Sequence, residues 1–552
     1  WRTRFGADPA VLGRTIRLNN QLVTIIGVGP PDFNGEAGTV STDFWLSISS
    51  VVIGGPSRVA NLERRQDHWY GVKARLGPGV SVERARAELQ QLAARHGEQF
   101  PEIDRGRDIT LFTFDQVRVH PQIDGALTGA GVGLSVVAGI VLLLACSNLA
   151  NLLLVRGFAR APELAIREAL GGDRARIGRP LLIEALVLSV LGGAAGLIAA
   201  GWVQRIVSVI PLPPYNAPLD VRFDYRMVTF SVLAALATGF LFGLLPSRRS
   251  VKVGAAAALR DAGRLRSAGH GSSVLRGTLV ATQVALSVVL VAATGLLARS
   301  LVNAERVDPG VDAERVAVIG TNLVQGGVAQ DEATVVAEQI LERIAALPGV
   351  ESAALTTRLP LSNGSSASTI VEGYTLPSGA NAIEFPVAGV SRAYFETMGM
   401  PLLAGRNFTV EDGPESPVVV IVNETAARLF FGGDAVGRRL RGQDNPDEWR
   451  EVVGVVADSK VIDLQEQPTP LMYWSTEQIG AGAFSVVVRT PGDPASLLGA
   501  LQRALRDVRP GLPVTRLEAF ENHLAGALDA ARATALLMGA FAGLALLLAV
   551  LG

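Results

Sequence analysis

Few residues in this chain of 552 could carry out covalent chemistry. Five histidines are scattered without the spacing that metal ligands require, and the single cysteine, Cys146, excludes a cysteine-based zinc site and an intrachain disulfide. No glycine is followed by lysine, which excludes a phosphate loop of the Walker A type, and no Gly-x-Ser-x-Gly motif occurs. The sequence therefore predicts a protein that is not an enzyme and that holds no metal or cofactor.

The segment 162–172 has the pattern of a short amphipathic helix. It opens with a proline, which suits the first turn, and an acidic residue lies four positions before an arginine, a favourable order for an ion pair. Its apolar residues fall on one face, and two glycines can end the helix. Such a helix could enter a groove on a partner protein or lie on lipid headgroups, and the residues alone leave both interpretations open. The residues are Pro162, Glu163, Ile166, Arg167, Ala169, Leu170, Gly171 and Gly172.

The elements that must position this segment are membrane helices. Apolar residues make up 49% of the chain and charged residues 18%, below the roughly 25% of soluble domains. The net charge of −1 gives no basic surplus that would favour a nucleic-acid partner. Five stretches are apolar and long enough to cross about 30 Å of hydrocarbon. They are 133–155, 181–203, 227–245, 279–298 and 533–552.

The distribution of arginine sets the orientation of these spans. The loops after the first and third spans are rich in arginine, which marks them as cytoplasmic. The regions 1–132 and 299–532 then lie outside the membrane. The inner segment 246–278 is predicted to be a linker with a short helix at 253–262.

Polar and small residues within the spans are predicted to pack helices together. An asparagine in a span can be functional, but hydrogen bonding between helices is the better interpretation for the first span. Glycines one turn apart in the second span suit close helix packing. The residues are Asn148, Asn151, Gly192, Gly193 and Gly196.

The two outer regions resemble each other in sequence. Three blocks recur in the same order, and the second copy of each lies more than 400 residues after the first. Each copy leads into a membrane span, so the longer parent of this chain is predicted to consist of two permease units of four spans each. The chain starts at Trp1 and stops at Gly552 within an apolar run, so we expect a fragment truncated at both ends. The matched segments are 5–14 and 431–438, 25–28 and 452–455, and 125–127 and 526–528.

The outer regions are predicted to be mixed α/β domains. Runs rich in valine and isoleucine predict strands at 22–28, 70–76, 417–422, 451–457 and 484–489. Amphipathic periodicity predicts helices at 81–96, 331–346, 423–431 and 494–507.

Together these features resemble the MacB/FtsX-type permeases, which are subunits of ABC transporters. The most specific match is the segment 162–172, where the family has an acidic residue, a short apolar stretch, arginine and Ala-Leu-Gly. The duplicated arrangement without an ATPase domain resembles the subgroup of duplicated orphan permeases. The resemblance implies an α-helical polytopic membrane protein with two mixed α/β extracytoplasmic domains and internally duplicated four-helix units. The implied domains are 1–132 outside, 133–245 transmembrane, 246–278 linker, 279–298 the helix that opens the second repeat, 299–532 outside, and 533–552 the start of a second transmembrane domain.

The resemblance also implies a function and partners. In the family, the segment that matches 162–172 is the coupling helix that rests on a cytoplasmic ABC ATPase, a separate chain. We therefore expect a multi-pass permease subunit in the bacterial inner membrane that transmits force from the ATPase to the outer domains. Export or extraction of a hydrophobic substrate, peptide or lipoprotein would follow. Besides the ATPase and the lipid bilayer, the expected partners include a periplasmic adaptor or a second permease chain, and no nucleic acid.

The main alternative is a regulatory scaffold whose outer domains activate a periplasmic partner such as a cell-wall hydrolase, without transport. An orphan permease without an ATPase is a third possibility, and it predicts that the segment 162–172 tolerates charge reversal.

Overall fold

The computed structural model describes most of the chain. The described residues are 1–19, 21–30, 33, 42–48, 50, 71–104, 108–114, 121–159, 174–207, 211–212, 217–218, 225–250, 270–329, 331–374, 382–443, 445, 447–480 and 482–551. The predicted linker helix at 253–262 lies outside them.

The described residues form fourteen α-helices and fifteen strands. The helices are α1 (Arg2–Phe5), α2 (Val82–Gln99), α3 (Pro101–Asp104), α4 (Pro121–Ala159), α5 (Arg174–Val207), α6 (Tyr225–Ser250), α7 (His270–Glu305), α8 (Ala333–Ala345), α9 (Tyr394–Thr397), α10 (Glu424–Phe431), α11 (Thr476–Ile479), α12 (Pro494–Val508), α13 (Phe520–Ala527) and α14 (Asp529–Leu551). The strands are β1 (Thr15–Leu18), β2 (Gln21–Thr24), β3 (Pro211–Leu212), β4 (Ala217–Pro218), β5 (Val316–Asn322), β6 (Ser352–Thr356), β7 (Ser366–Val371), β8 (Ile383–Val390), β9 (Leu402–Gly405), β10 (Val419–Asn423), β11 (Arg439–Gly442), β12 (Trp449–Val456), β13 (Met472–Ser475), β14 (Ala483–Arg489) and β15 (Val514–Ala519).

Four of the five predicted spans are confirmed as helices long and apolar enough to cross a membrane. They lie in α4, α5, α7 and α14, and their apolar parts are Gly131–Leu149, Leu182–Arg205, Gly277–Glu305 and Ala531–Val550. The third predicted span lies in α6, where the apolar part found among the described residues is the shorter Tyr225–Phe240. These helices belong to one of two compact units, which consists of residues 34–42, 114–303 and 530–552.

Within this unit, α4 packs against α7 and α14. Leu144 of α4, Leu290 of α7 and both Ala542 and Ala545 of α14 form one buried apolar cluster. The small alanines let the helix backbones approach closely, and van der Waals packing of this kind holds membrane helices together. The first predicted span is therefore in direct contact with the fourth and the fifth.

The second unit contains the outer regions, and its 304–529 part is built on an eleven-stranded sheet. Strand β8 pairs with both β7 and β13, so that β8, β7, β11, β12, β10 and β13 close into a ring. From β8, the strands β6, β14, β5 and β15 continue the sheet as an open arm, and β9 pairs with β12. Helices α8 and α12 cover the arm and share its buried core.

Local sequence signals explain why these helices begin and end where they do. The side chain of Asp493 accepts a hydrogen bond from the Ala495 N–H and Pro494 occupies the first turn, which starts α12. The side chain of Asn423 caps α10 in the same way, and Gly432 ends it with a φ of 66°. The four predicted helices of the outer regions and the strands β10, β12 and β14 are confirmed.

The predicted strand at 70–76 is wrong for its described part. Residues 71–76 are in no strand, and all of them are exposed. A strand needs a neighbour for its backbone hydrogen bonds, and no described strand pairs with this segment. The predicted strand at 22–28 is confirmed only as β2, which ends at Thr24.

The repeated sequence blocks have matching backbone geometry. The Gly13 N–H donates to the Ile25 carbonyl at 2.8 Å, and the Gly437 N–H donates to the Val452 carbonyl at 2.8 Å. The return bond also recurs, from Ile25 N–H to the Arg14 carbonyl and from Val452 N–H to the Arg438 carbonyl, at 2.9 Å in both cases. Gly13 and Gly437 have φ values of 80° and 79°, and each glycine precedes an antiparallel strand pair.

Candidate functional site

The predicted coupling residues lie outside the described residues. This holds for Pro162, Glu163, Ile166, Arg167, Ala169, Leu170, Gly171 and Gly172. The segment follows α4, which ends at Ala159, and precedes α5, which begins at Arg174. It therefore connects the first and second spans.

Two amide side chains meet one carbonyl between the spans. Nδ2 of Asn148 on α4 donates to the Leu548 carbonyl at 3.3 Å, and Nε2 of Gln283 on α7 donates to the same oxygen at 2.6 Å. Both side chains are buried. Asn151, one turn from Asn148, is also buried, and neither of its amide atoms has a partner among the described residues.

Three hydroxyl groups extend this polar seam, which we define as the hydrogen bonds that join α4, α7 and α14. Ser147 donates to the Leu279 carbonyl at 3.4 Å, and Ser287 donates to the Ala545 carbonyl at 3.4 Å. Thr294 lies 3.1 Å from the Met538 carbonyl. The two serine bonds satisfy hydroxyl groups that would otherwise face hydrocarbon. The Thr294 hydroxyl also lies 2.8 Å from the Leu290 carbonyl of its own helix.

The three glycines of the second span have different surroundings. A Cβ on Gly193 would lie 3.3 Å from the Ala235 Cβ of α6, so this glycine is at a helix contact. Gly192 and Gly196 have no such neighbour within 4 Å among the described residues. The structure thus brings only Gly193 against the neighbouring helix.

The outer domain 304–529 joins the spans through two connectors. The first connector is the segment 306–315 between α7 and β5, and the second is α13 between β15 and α14. The Lys460 N–H donates to the Pro309 carbonyl of the first connector at 3.0 Å, and the Leu361 N–H donates to the Lys460 carbonyl at 3.3 Å.

The second connector completes this path. Nε2 of His523 on α13 lies 2.8 Å from the Pro360 carbonyl, which precedes Leu361. A relay of three hydrogen bonds, from Pro309 through Lys460 and the 360–361 peptide to His523, therefore links the two connectors. Leu361 has a φ of 56°, a left-handed conformation that is strained for leucine and common at switch regions.

An ion pair between a buried arginine and a partly exposed aspartate holds the first connector. Nη1 of Arg489 on β14 lies 2.6 Å from Oδ2 of Asp312, and its Nε donates to the Thr397 carbonyl at 2.8 Å. The hydrogen bond from Arg489 lowers the pKa of Asp312, against a smaller opposing effect of burial. Gly310 has a φ of 75°, and a Cβ there would overlap the carbonyl of Asp458.

The second connector is held by apolar packing and by its histidine. Phe520 is fully buried in the core of the outer domain, and Leu524 packs against that core. Burial lowers the pKa of His523, and the hydrogen bond to Pro360 opposes this shift without cancelling it. The charge of Arg516 lowers the pKa further, and the charge of Glu518 raises it. The neutral imidazole then donates from Nε2 to Pro360 and accepts at Nδ1 from Arg516, 2.8 Å away.

Sequence reasoning treated His523 as one of several scattered histidines. Its partner Pro360 is 163 residues away, so no local pattern marks the pair. The available signal is position, since the apolar residues Phe520 and Leu524 lie three positions before and one position after His523, shortly before the last span. No group of three or more metal-ligating side chains occurs in the part of the chain that the structure describes.

Two family models match the chain. The model described as MacB-like periplasmic core domain matches residues 1–92 and 279–506, which is more than half of the chain. The model described as FtsX-like permease C-terminal matches residues 135–255. The matched permease region contains all of α5 and α6 and most of α4.

Curated relatives of similar sequence are macrolide export proteins. The chain is 27% identical over 261 residues to the macrolide export ATP-binding/permease protein MacB of Sodalis glossinidius, covering 47% of this chain and 37% of the relative. It is 24% identical over 250 residues to MacB of Escherichia coli, covering 44% and 34%. The chain thus spans just over a third of the length of these relatives.

The comparison with solved structures found extracytoplasmic regions of transporters. The periplasmic region of MacB from Actinobacillus actinomycetemcomitans covers 40% of this chain and 95% of its own length, with 14% identity and a TM-score of 0.28. The extracellular domain of the noncanonic ABC-type transporter YknZ from Gram-positive bacteria covers 36% and 99%, with 14% identity and a TM-score of 0.25.

Proposed function

Because this chain belongs to the family of permeases with a MacB-like periplasmic core domain and an FtsX-like membrane region, we propose that it is the membrane subunit of an ABC-type assembly. In this proposal a separate cytoplasmic ATPase binds the 162–172 helix, and its cycle moves the outer domains. The chain itself performs no catalysis. The cargo is a hydrophobic substrate, peptide or lipoprotein, exported or extracted at the bacterial inner membrane.

The observation that carries the proposal is the relay between the two connectors. A displacement of α7 or α14 along its axis reaches the outer domain through connectors that are anchored in its core and tied to each other. The two linked connectors can move together when the helices at their ends are displaced, and such a coupled element is the physical requirement for switching. Mechanical transmission of this kind needs no channel through the spans.

We propose further that the chain is an internal duplication of the orphan-permease type, in which one chain replaces a two-fold pair. The matching hydrogen bonds around Gly13 and Gly437 support this, and so does the match of one family model on both sides of the permease region. The polar seam is consistent with the duplication, because it joins α4 of the first sequence repeat to α7 and α14 of the second sequence repeat.

A pull-down from native membranes with the full-length protein tests the ATPase proposal. Glu163→Arg combined with Arg167→Glu reverses the charges of the coupling helix and should abolish capture of a nucleotide-binding subunit. The matched control is Arg84→Glu with Glu88→Arg, an exposed pair at the same spacing on α2 whose atoms lie 3.0 Å apart. This control should retain the ATPase.

Other outcomes would reject the proposal. Equal capture by both double variants would mean that the 162–172 helix does not bind the ATPase. Absence of an ATPase from the wild-type sample, with a periplasmic hydrolase in its place, would favour the regulatory scaffold.

A further inference from the structure

A groove lies between α5 and α6, within the membrane-spanning unit. The helices touch at Gly193, where a Cβ would lie 3.3 Å from Ala235, but a Cβ on Gly196 meets no atom within 4 Å. Gly196 therefore lines open space beside α6. The resulting groove encloses about 660 Å³ and is lined mainly by small and apolar side chains, among them Gly196, Ala200, Val203, Val232 and Ala235.

Aromatic residues mark the membrane level that the groove reaches. Trp202 of α5 and Tyr225 of α6 are 67% and 73% exposed. Tryptophan and tyrosine with this exposure on spans are typical of the headgroup level. The groove runs from Ser189 to Gln204 on α5, about 22 Å at 1.5 Å per residue. It therefore extends from the outer headgroup level through one leaflet, which is about 15 Å of hydrocarbon.

Two arginines stand at the outer end of the groove. Arg205 follows the lining residue Gln204, and Arg226 precedes the lining residue Met227. Both are exposed, and the Arg226 guanidinium lies 5.8 Å from the Tyr225 ring centre. A pair of guanidinium groups at this level suits a phosphate group, to which arginine donates several hydrogen bonds.

We propose that this groove binds one phospholipid of the outer leaflet, with an acyl chain between α5 and α6 and the phosphate beside Arg205 and Arg226. A groove that opens into hydrocarbon holds no water, so an apolar chain is the ligand that fills it. The cationic mouth selects an anionic headgroup over a zwitterionic one. Lipid binding at this site does not require an ATPase, so its test is independent of the transport proposal.

Photo-crosslinking in lipid nanodiscs tests the site. The full chain is reconstituted with a trace of phosphatidylglycerol that carries a diazirine on its acyl chain, and adducts are mapped by peptide mass spectrometry. Adducts should concentrate on α5 and α6 along the groove. Gly196→Leu, which places a side chain in the open space, should lower them at least about fivefold because it takes the place of acyl-chain contacts.

Ala195→Leu is the matched control. Ala195 adjoins Gly196 on the same helix, is exposed and does not line the groove. This variant should keep wild-type labelling. Ala200→Leu is a second blocking variant and should behave like Gly196→Leu, and shielding of Cys146 from a thiol dye reports that each variant is folded.

The headgroup is tested separately by Arg205→Gln with Arg226→Gln. This double variant should lower the preference for the phosphatidylglycerol probe over a phosphatidylcholine probe by about fivefold. Unchanged preference would overturn the assignment of the phosphate position.

Three results would overturn the whole site. Adducts spread evenly over all spans would indicate lipid without a specific groove. Equal labelling of the Gly196→Leu and Ala195→Leu variants would place the lipid elsewhere. An unlabelled groove together with a crosslink between chains would mean that a second copy covers it.

Discussion

His523 shows how one side chain can tie a connector to the outer domain. It is largely buried, and its two ring nitrogens contact Pro360 and Arg516. Because burial lowers its pKa, the folded chain keeps the imidazole neutral where the unfolded chain begins to take up a proton. Protonation at Nδ1 would remove the acceptor for Arg516 and would place a charge in a buried site, so the packing of His523 is sensitive to acid.

The first prediction concerns the pH dependence of this contact. The ordinary pKa of histidine is about 6.5 and the folded value is lower, so the stabilisation is complete above 6.5 and is lost as the pH falls toward the folded value. Hydrogen exchange of the α13 amides in the full chain, corrected for intrinsic rates, should speed up between about pH 7 and 5.5. His523→Gln keeps a donor for Pro360 but does not titrate, so its exchange should lack this slope. An identical slope in the variant would assign the effect to another group.

The second prediction concerns the close approach at Gly310. Gly310 and Gly373 have φ values of 75° and 76°, but a Cβ meets the Asp458 carbonyl only at Gly310, and at Gly373 it meets nothing within 4 Å. Gly373→Ala should cost about 1 kcal/mol of unfolding free energy through backbone strain alone. Gly310→Ala should cost clearly more and should separate the Lys460 N–H from Pro309. Equal costs in denaturant titrations of the full chain would show that the first connector adapts without strain.

At the scale of elements, the polar seam holds the spans together with only a few hydrogen bonds. Gln283 and Asn148 both donate to the Leu548 carbonyl, whereas neither amide atom of Asn151 has a partner among the described residues. Hydrogen bonds between membrane helices contribute about 0.6 kcal/mol on average. The contributions of individual seam residues to the stability of the helix packing should therefore differ in sign as well as in size.

The third prediction uses Cys146, the sole cysteine, as a reporter of the spans. It is buried on α4, so a thiol-reactive dye labels it only when the helices separate. Gln283→Leu should lower the temperature at which the dye reacts with Cys146, because it removes the 2.6 Å hydrogen bond to the Leu548 carbonyl. Asn151→Leu should leave that temperature unchanged or raise it, because it removes an unpaired buried amide. A large loss for Asn151→Leu would reveal a partner for this side chain.

At the scale of the whole molecule, the proposed duplication bears on how many chains an assembly needs. The seam already pairs helices of both proposed units within one chain. A two-fold pair of chains would be needed if each chain carried only one unit.

The fourth prediction is a stoichiometry. Native mass spectrometry of the purified full-length complex should give one permease chain for each pair of ATPase subunits. Two chains per ATPase pair would contradict the proposal that one chain replaces a dimer.

The sequence alone predicted the features that depend on neighbouring residues. The spans in α4, α5, α7 and α14 follow from uninterrupted apolar runs, and the limits of α10 and α12 follow from Asn423, Gly432 and Asp493. The family also could be recognised, because its motifs are contiguous. The strand predicted at 70–76 failed in its described part because strand formation depends on a partner that local sequence does not specify.

Only the tertiary structure decided which distant residues meet. The His523–Pro360 contact, the Arg489–Asp312 pair and the shared Leu548 carbonyl join residues more than 160 positions apart. The groove between α5 and α6 depends on how these two helices pack, because small residues such as Gly193 and Gly196 can either contact a neighbouring helix or line open space. Apolar periodicity determines that a helix is buried or spans a membrane, but the packing of side chains determines its partner, because many pairings bury similar apolar areas.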